Sequence, residues 1–213
     1  MFTKALTFVV YRINYALFNR YFKVAGHKYR YYINTYLAVY GERVIEIPFA
    51  TAFKDRYVGK KTLEVGNVLS YHQDFKHTIV DKYEMGDDII NVDIVEFSTS
   101  ERYDAVISIS TIEHVGFDEP IIEKNKALKA LIKIIELLQQ GGEALITVPL
   151  GYNPEIDDIV INHRIVFQEE YFLKRVSKLN LWEEASMDDA ILCKYGSKFP
   201  FANAVAFLIY KKV

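Results

Sequence analysis

Two stretches decide the fold of this 213-residue chain: residues 103–116, Tyr-Asp-Ala-Val-Ile-Ser-Ile-Ser-Thr-Ile-Glu-His-Val-Gly, and residues 140–149, Gln-Gly-Gly-Glu-Ala-Leu-Ile-Thr-Val-Pro. Each contains an apolar run, 103–109 and 143–148, that predicts a buried strand. A helix is predicted between them, capped by Asp118, with Pro120 in its first turn and a Gly141-Gly142 stop. Its apolar positions are Ile121, Leu128, Leu131, Ile132, Ile135 and Leu138. Strand, helix and strand in this order favour a parallel sheet covered by helices.

The same alternation continues on both sides of these stretches. Further strands are predicted over residues 62–66, 78–81, 89–93, 181–185 and 204–211, a short crossover helix within 70–76, and a helix over 168–179. Together they predict an α/β fold: a Rossmann-like, seven-stranded, mostly parallel sheet with helices on both faces. A flavodoxin-like sheet is the alternative, and it leaves the last two strands unexplained. We expect one domain over residues 60–213, preceded by a helical or extended segment over residues 1–59.

The composition is that of an ordinary globular protein. Hydrophobic residues make up 51% of the chain and charged residues 25%. Cys193 is the only cysteine and has no partner for a disulfide or a zinc site, so we interpret it as a structural thiol in a reducing compartment. The apolar run from Leu6 to Tyr11 is interrupted by Arg12, well short of the roughly 20 residues of a membrane-spanning helix. We therefore expect a cytoplasmic protein.

Charge is distributed unevenly along the chain. Residues 1–60 contain ten Lys and Arg against three Asp and Glu, a net charge of +7, so the rest carries −9 to reach the total of −2. Within residues 1–40 the basic residues are interleaved with tyrosines. This segment is either a contact surface for an anionic partner, lipid or RNA, or an amphipathic helix that caps the main domain. The apolar positions of that helix would be Leu6, Val10, Ile13, Leu17 and Tyr21.

Carboxylates recur where the early strands end. Glu64 lies in the first predicted strand just before Gly66, Asp81 ends the second strand, and Asp93 ends the third. Because the carboxyl ends of parallel strands meet at one sheet edge, a ligand site is predicted there, and a carboxylate after the second strand is typical of ribose binding. The chain has neither a GxGxxG run nor a Walker lysine motif, which disfavours nicotinamide or flavin enzymes and nucleotide hydrolases.

From about Lys60 to Val213 the chain resembles class I S-adenosylmethionine-dependent methyltransferases. The resemblance lies in residues 63–67, Leu-Glu-Val-Gly-Asn, in the Glu113-His114 pair after the fourth strand, and in the Gly-Gly turn into a strand ending Thr-Val-Pro. It implies S-adenosylmethionine as cofactor, with Glu64 orienting the glycine loop or meeting the ammonium group, Asp81 on the ribose and Asp93 on the adenine amino group. The implied cofactor-binding residues are Glu64, Gly66, Asn67, Asp81, Asp93 and Ser110.

Candidate catalytic residues follow from the same resemblance. His114 is the first candidate for a general base, since imidazole titrates near neutral pH; the alternative is that it packs under the cofactor or caps the loop. His163, after the fifth strand, is the second candidate. Glu113 is a candidate for orienting the acceptor. Adjacent Glu and His side chains point in different directions and form no metal signature, so no metal is predicted.

The acceptor is predicted to be a small molecule or a glycan, methylated at oxygen. The polar stretch over residues 150–158 offers Asn153, Asp157 and Asp158 to sugar hydroxyls and Tyr152 for stacking. The Asn-Pro-Pro-Tyr type of run found in nucleobase amino methyltransferases is absent, so DNA is not expected as a partner. Two alternatives remain: a degenerate methyltransferase fold that serves binding or assembly, because Val68-Leu69-Ser70 replaces a second glycine, and an RNA- or membrane-associated methyltransferase. The sequence carries no signal for an oligomeric state.

Overall fold

A computed structural model describes residues 8–11, 13, 15, 17, 21–34, 40–73 and 76–213. The chain divides into two compact units. The first comprises Met1–Phe49, Pro149–Tyr152 and Tyr171–Ala206, and the second comprises Ala50–Val148, Asn153–Glu170 and Phe207–Val213. The predicted division into segments 1–59 and 60–213 remains a proposal. None of the described helices combines the length and the apolar character that crossing a membrane requires.

Helices and strands alternate along much of the described chain. In chain order they are β1 (Tyr21–Val24), β2 (His27–Arg30), α1 (Arg43–Asp55), β3 (Thr62–Val65), β4 (Thr78–Asp81), β5 (Ile89–Asn91), β6 (Tyr103–Ile109), α2 (Lys126–Leu137), β7 (Leu138–Pro149), α3 (Pro154–Ile161), β8 (Glu169–Arg175), β9 (Trp182–Ala185), α4 (Met187–Ile191) and β10 (Ala204–Lys211). The helical residues 8–11, 13, 15 and 17 are called the N-terminal helix.

The second unit is built on a parallel sheet. Its strands lie in the order β5-β4-β3-β6-β7, each parallel to its neighbour, and β10 lies beside β7. The Lys212 N–H donates to the Gly142 carbonyl near the start of β7, and the Leu150 N–H just after β7 donates to the Ala204 carbonyl at the start of β10, so β10 runs antiparallel to β7. In chain order the parallel strands read 3-2-1-4-5, which is the Rossmann order. The predicted Rossmann-like α/β fold is confirmed, and the flavodoxin-like alternative, ordered 2-1-3-4-5, is excluded.

The central strands are buried along their length. All four residues of β3 are buried, and in β6 only Asp104 is not. Strands covered on both faces read as continuous apolar runs rather than as alternating ones, which is why these two strands were recognisable. The connection between β3 and β4 is short: residues 66–73 and 76–77 contain one 3-10 turn, Leu69–Tyr71, in place of the predicted crossover helix, while residues 74 and 75 of that prediction lie outside the described residues.

The long predicted helix begins later than expected. Asp118 does not cap it, and Ile121 is 82% exposed; α2 starts at Lys126. The carboxylate of Glu155 accepts hydrogen bonds from the backbone N–H groups of Asn125 and Leu128, at 3.0 and 3.1 Å, and so satisfies donors that the first helical turn leaves open. A residue 30 positions away therefore sets the helix start. A local sequence pattern cannot show that Glu155, in the distant helix α3, caps α2.

Two further predictions about secondary structure were wrong. Gly141 and Gly142 do not stop a helix but lie inside β7, where the register with β6 shifts and a Cβ on Gly142 would lie 2.9 Å from the Tyr103 carbonyl oxygen. The predicted helix over 168–179 is the strand β8, which pairs antiparallel with β9. The described chain after Lys61 therefore has eight strands instead of seven. Pairing outweighed the weak helical preference of the β8 sequence.

The first unit has an aromatic core. Tyr15, only 2% exposed, donates its hydroxyl proton toward the carbonyl oxygens of Asn180 and Leu179, at 2.6 and 3.0 Å, and its ring lies 4.7 Å from that of Tyr31. Burial raises the pKa of Tyr31 to about 12, so its hydroxyl is protonated at neutral pH, where it accepts the Trp182 N–H at 2.9 Å. Tyr11, Tyr15 and Tyr31 of the basic segment are thus core residues.

The predicted capping face of the N-terminal helix was wrong. Val10, Ile13, Leu17 and Tyr21, four of its five positions, are exposed, whereas Tyr11 and Tyr15 are buried. The fifth position, Leu6, lies outside the described residues, as do Arg12 and Arg20. Tyrosine has an apolar ring and a hydroxyl that can reach backbone carbonyls, which explains why tyrosines rather than aliphatic residues face this core.

Candidate functional site

A cavity of about 370 Å³ opens at the carboxyl ends of four parallel strands of the second unit. This volume falls within the roughly 300–1,000 Å³ typical of small-molecule sites. The cavity lies at the point where the strand order reverses, which is where ligands bind in open α/β sheets. Its walls follow β3, β4, β5 and β6, and they are formed by Val65, Gly66, Asn67, Val68, Val80, Asp81, Lys82, Tyr83, Glu84, Val92, Asp93, Ile94, Ser110, Thr111, His114, Val115, Asp118 and Glu119.

The loop after β3 needs glycine. Gly66 has φ +84°, and a Cβ at this position would lie 2.1 Å from Oγ1 of Thr111. Glu64 is fully buried beneath the loop, where its Oε1 accepts the backbone N–H groups of Val68 and Leu69 at 2.8 and 2.6 Å. Oε2 of Glu64 lies 2.5 Å from Nε2 of the equally buried His77. Glu64 is not among the cavity-lining residues, so it orients the loop from below.

Asp81 joins two loops of the cavity. Its Oδ1 accepts the N–H groups of Tyr83 and Glu84, both at 2.8 Å, and its Oδ2 accepts the N–H of Asn67 at 3.1 Å. Oε2 of Glu84 in turn accepts the side-chain amide of Asn67 at 2.6 Å. Polar groups that follow β3 and β4 are therefore held together at one wall. A carboxylate has about four acceptor positions, so Asp81 retains capacity for one further donor.

Asp93 belongs to a cluster of four charges. Its Oδ2 lies 3.0 Å from Nζ of Lys82 and 2.9 Å from Nζ of Lys126, and the same two lysines lie 2.8 and 2.7 Å from Oε2 of Glu119. Burial alone would raise the pKa of each carboxyl group, but the hydrogen bonds from Lys126 and Lys82 hold both pKa values below their ordinary range. Burial likewise opposes the charged form of the lysines, yet Glu119 and Asp93 raise the pKa of both.

His114 lies half-exposed at the cavity wall. Its Nδ1 is hydrogen-bonded to Oδ2 of Asp118, one helical turn along the chain, and its Nε2 lies 3.6 Å from Oε1 of the buried Glu113. Ser110, also at the wall, has φ +37° and donates its N–H to the carbonyl oxygen of Thr147 at 2.9 Å. With Nδ1 protonated toward Asp118, the lone pair of the imidazole is on Nε2.

The segment that follows β7 differs from the predicted polar loop. Asn153 is 2% exposed; its Oδ1 accepts the Glu155 N–H at 2.9 Å as the cap of α3, and its Nδ2 donates to the Glu113 carbonyl at 2.7 Å. It is therefore committed to supporting the His114 turn rather than to a sugar. Asp157 and Asp158 lie within α3. Of the predicted catalytic residues, His163 follows α3 with its side chain 54% exposed and does not line the cavity.

Sequence reasoning missed several residues that shape the site. Lys82 directly follows Asp81, so its position beside the strand end was readable from the sequence. Asp118 was interpreted as a helix cap, although its i,i+4 spacing from His114 is the spacing of a side-chain pair. Nothing local indicated that Glu119 and Lys126 meet Asp93, because that contact depends on how the segment after β6 folds back over the sheet.

No protein-family model matches the chain, and no curated protein matches it. Solved structures of methyltransferases are similar to it. They include the N-methyltransferase NodS of Bradyrhizobium japonicum with S-adenosylhomocysteine (11% identity, TM-score 0.47, covering 80% of this chain and 91% of that one) and the 1,6-didemethyltoxoflavin N1-methyltransferase of Burkholderia thailandensis with S-adenosylhomocysteine (12%, 0.48, 79% and 79%). An rRNA methylase of Streptococcus thermophilus aligns at 15% identity with a TM-score of 0.45, covering 79% of this chain and 97% of that one.

We predict that Gly66→Ala destabilises the protein more than Gly59→Ala. Both glycines have positive φ, at +84° and +75°, which costs an alanine about 1–2 kcal/mol, but only at Gly66 would the Cβ also meet Thr111. Urea unfolding measures both variants, and Thr111→Ala in the Gly66→Ala background should restore part of the lost stability. Equal losses at the two glycines would contradict a close approach at Gly66.

The charge cluster predicts a pH dependence of stability. The folded-state pKa values of Asp93 and Glu119 are depressed. Their contribution to the free energy of unfolding is therefore complete above the unfolded-state pKa values of roughly 4, and it is lost as pH falls through the lower folded-state pKa values. We expect the free energy of unfolding to fall more steeply between about pH 5 and pH 2 in the natural protein than in Asp93→Asn/Glu119→Gln. The exposed pair Asp87→Asn/Asp88→Asn is the control and should keep the natural slope.

Proposed function

We propose that this protein is an S-adenosylmethionine-dependent methyltransferase that acts on a hydroxyl group of a small-molecule or glycan-like acceptor. The observation that carries the proposal is the cavity at the carboxyl ends of β3 to β6, where the glycine loop, Asp81 and His114 line one space. Nucleoside ligands occupy this position in Rossmann-like sheets, with a carboxylate after the second strand on the ribose hydroxyls.

The charge of the cavity fits this cofactor. Five carboxylates and one lysine are among the described lining residues; the carboxylates are Asp81, Glu84, Asp93, Asp118 and Glu119. S-adenosylmethionine carries a sulfonium and an ammonium group against a single carboxylate, so an acidic cavity attracts it. The absence of a second glycine after Gly66 is compatible with binding, because a pyrophosphate, which needs such a loop, is not part of this cofactor.

Each cofactor-binding residue has a proposed task. Asp81 has one acceptor position left for a ribose hydroxyl. Asp93 uses its oxygens for Lys82, Lys126 and the Val95 N–H at 3.0 Å, which leaves about one of four acceptor positions for an adenine amino group. Gly66, Asn67 and Ser110 offer loop backbone to the rest of the ligand, and Glu64 keeps the glycine loop in shape.

The bound cofactor would supply an electrophilic methyl group on sulfur. The protein's task is to align the acceptor hydroxyl and to accept its proton. Positioning the acceptor oxygen accounts for much of the rate in such a displacement. Nε2 of His114 takes the hydroxyl proton, while Asp118 holds Nδ1 and so fixes the ring and its tautomer. Glu113 and Asn153 support the turn that carries His114. A base is required for a hydroxyl acceptor, which is why we propose oxygen as the methylated atom.

Calorimetric titration with S-adenosylmethionine and S-adenosylhomocysteine tests the cofactor. We expect micromolar binding by the natural protein and at least a tenfold loss in Asp81→Ala, because a hydrogen bond to a charged group is worth about 1.5–3 kcal/mol. Asp88→Ala, an exposed acid outside the cavity, is the matched control and should bind normally. Thermal unfolding of each variant separates lost binding from lost folding, since Asp81 also holds two loops.

If the natural protein binds neither compound, the degenerate fold that serves binding or assembly replaces the enzyme. The acceptor position that Asp81 and Asp93 each retain at the cavity argues against that alternative, since a scaffold has no need of an open acceptor there. Binding that survives in Asp81→Ala would move the ribose site away from β4 and overturn the residue assignments while leaving the cofactor in place.

The two candidate bases are separated by the kcat values of single variants. With hydroxylated sugars and phenols as acceptors and S-adenosylhomocysteine release as the readout, His114→Gln should lower kcat by about 100-fold or more, the usual contribution of a general base. His163→Gln should leave kcat unchanged. Asp118→Asn should lower kcat with little change in cofactor affinity, because Asp118 fixes the orientation and the tautomer of the His114 ring. Loss of activity in His163→Gln alone would identify His163 as the base.

A further inference from the structure

The N-terminal helix exposes a stripe of aliphatic side chains. Val9, Val10, Ile13 and Leu17 are 49, 47, 51 and 64% exposed. An α-helix turns about 100° per residue, so these four positions share one arc of about 100°. A helix surface of this composition is unusual in contact with water alone, and contiguous apolar patches commonly mark a binding surface.

The opposite side of the same helix is anchored. Tyr11 and Tyr15 are 7 and 2% exposed, and their hydroxyl groups donate to carbonyl oxygens of Lys178 and Asn180. Tyr15 also packs against Tyr31. Turning the aliphatic stripe inward would break these contacts, so the stripe is held outward by the core of the first unit.

A cationic face follows the stripe in sequence. In the hairpin β1–β2, Phe22 and Val24 are buried, while Tyr21 and Lys23 point outward. Lys28 is directly opposite Lys23, and Arg30 is directly opposite Tyr21, on that outward face. Like charges directly opposite each other destabilise a strand pair. Residues 1–40 contain no acidic residue, so this segment itself offers no carboxylate to offset the repulsion. At the turn of the hairpin, the carboxylate of Glu184 accepts the Ala25 N–H.

We propose that the first unit binds the surface of an anionic phospholipid membrane through this aliphatic stripe and this cationic face. An interfacial helix buries its apolar side among the acyl chains, and lysines and arginines beside it are attracted to anionic headgroups. Leu17 and Tyr21 are four residues apart, which limits the chain path between the two features to roughly 14 Å. The repulsion between Lys23 and Lys28 is relieved when lipid phosphates lie against them.

Lipid fits these features better than RNA or a second copy of the chain. Single-stranded RNA binds aromatic platforms on which its bases stack, whereas the exposed side chains among the described residues of the helix are Val, Ile and Leu. In a two-fold dimer the same patch meets itself, which would bring the charged hairpins of two copies toward each other. An anionic bilayer provides both an apolar layer and negative charge.

Co-sedimentation of the full chain with vesicles tests the proposal. The vesicles are phosphatidylcholine alone or an equal mixture of phosphatidylcholine and phosphatidylglycerol. We expect binding to the mixed vesicles that weakens at high salt, and at least tenfold weaker binding to phosphatidylcholine. Lys23→Glu/Lys28→Glu should lower the affinity by about 25-fold or more, roughly fivefold for each lysine removed, and Ile13→Ser/Leu17→Ser should lower it at least tenfold.

Matched controls make the outcome specific to this surface. Val58→Ser/Leu192→Ser removes two aliphatic residues elsewhere that are even more exposed, and Lys60→Glu/Lys124→Glu reverses two exposed lysines elsewhere; both variants should bind vesicles normally. Equal loss in these controls, or no vesicle binding, overturns the proposal. Light scattering that shows a dimer broken by Ile13→Ser/Leu17→Ser would assign the stripe to a second copy instead. Vesicle binding is independent of cofactor titration, so either proposal can fail alone.

Discussion

Parallel pairing of β3 with β6 on one side and β4 on the other is the constraint on which the site depends. It brings the carboxyl ends of these three strands to one edge of the sheet. The strand order reverses between β3 and β6, so the site lies at this reversal. The side chain of Thr111, after β6, lies so close to the Gly66 backbone that a Cβ on Gly66 would have no room. A cavity between the outgoing loops follows from this geometry, because the loop after β3 and the turn after β6 leave the sheet in different directions.

Around that cavity, carboxylates organise the backbone as much as they face the ligand. Glu64 is buried and accepts two loop N–H groups, and Asp81 accepts three. Asp93 and Glu119 are neutralised by Lys82 and Lys126. An unpaired charge here would be costly, since burial strongly disfavours the ionised form. The acid residues of the site therefore have two tasks: each shapes a loop, and those that reach the cavity give it the negative character that suits a cationic cofactor.

The first unit is stabilised in a different way. Its core is aromatic, with tyrosine hydroxyls meeting backbone carbonyls, and aliphatic residues of the N-terminal helix face outward. This inverts the ordinary amphipathic pattern and explains why the sequence-based capping face was wrong: hydropathy alone ranks valine and isoleucine above tyrosine for burial, whereas a buried tyrosine adds a hydrogen bond to its ring packing. The aliphatic stripe faces outward instead, and the proposed lipid surface would cover it.

The sequence alone determined the strands β3, β4, β6 and β10 and the Rossmann-like class, because strands buried on both faces are continuous apolar runs between clear breaks. The carboxylates at the strand ends indicated Asp81 and Asp93, and the family resemblance indicated Gly66, Ser110 and His114. All five line one cavity, because residues at the ends of parallel strands share an edge. Only the tertiary structure decided the strand β8, the start of α2, the support role of Asn153 and the cluster joining Lys82 and Lys126 to Asp93 and Glu119. Each of these depends on a partner distant in sequence, and a local pattern of hydropathy or helix capping contains no information about such partners.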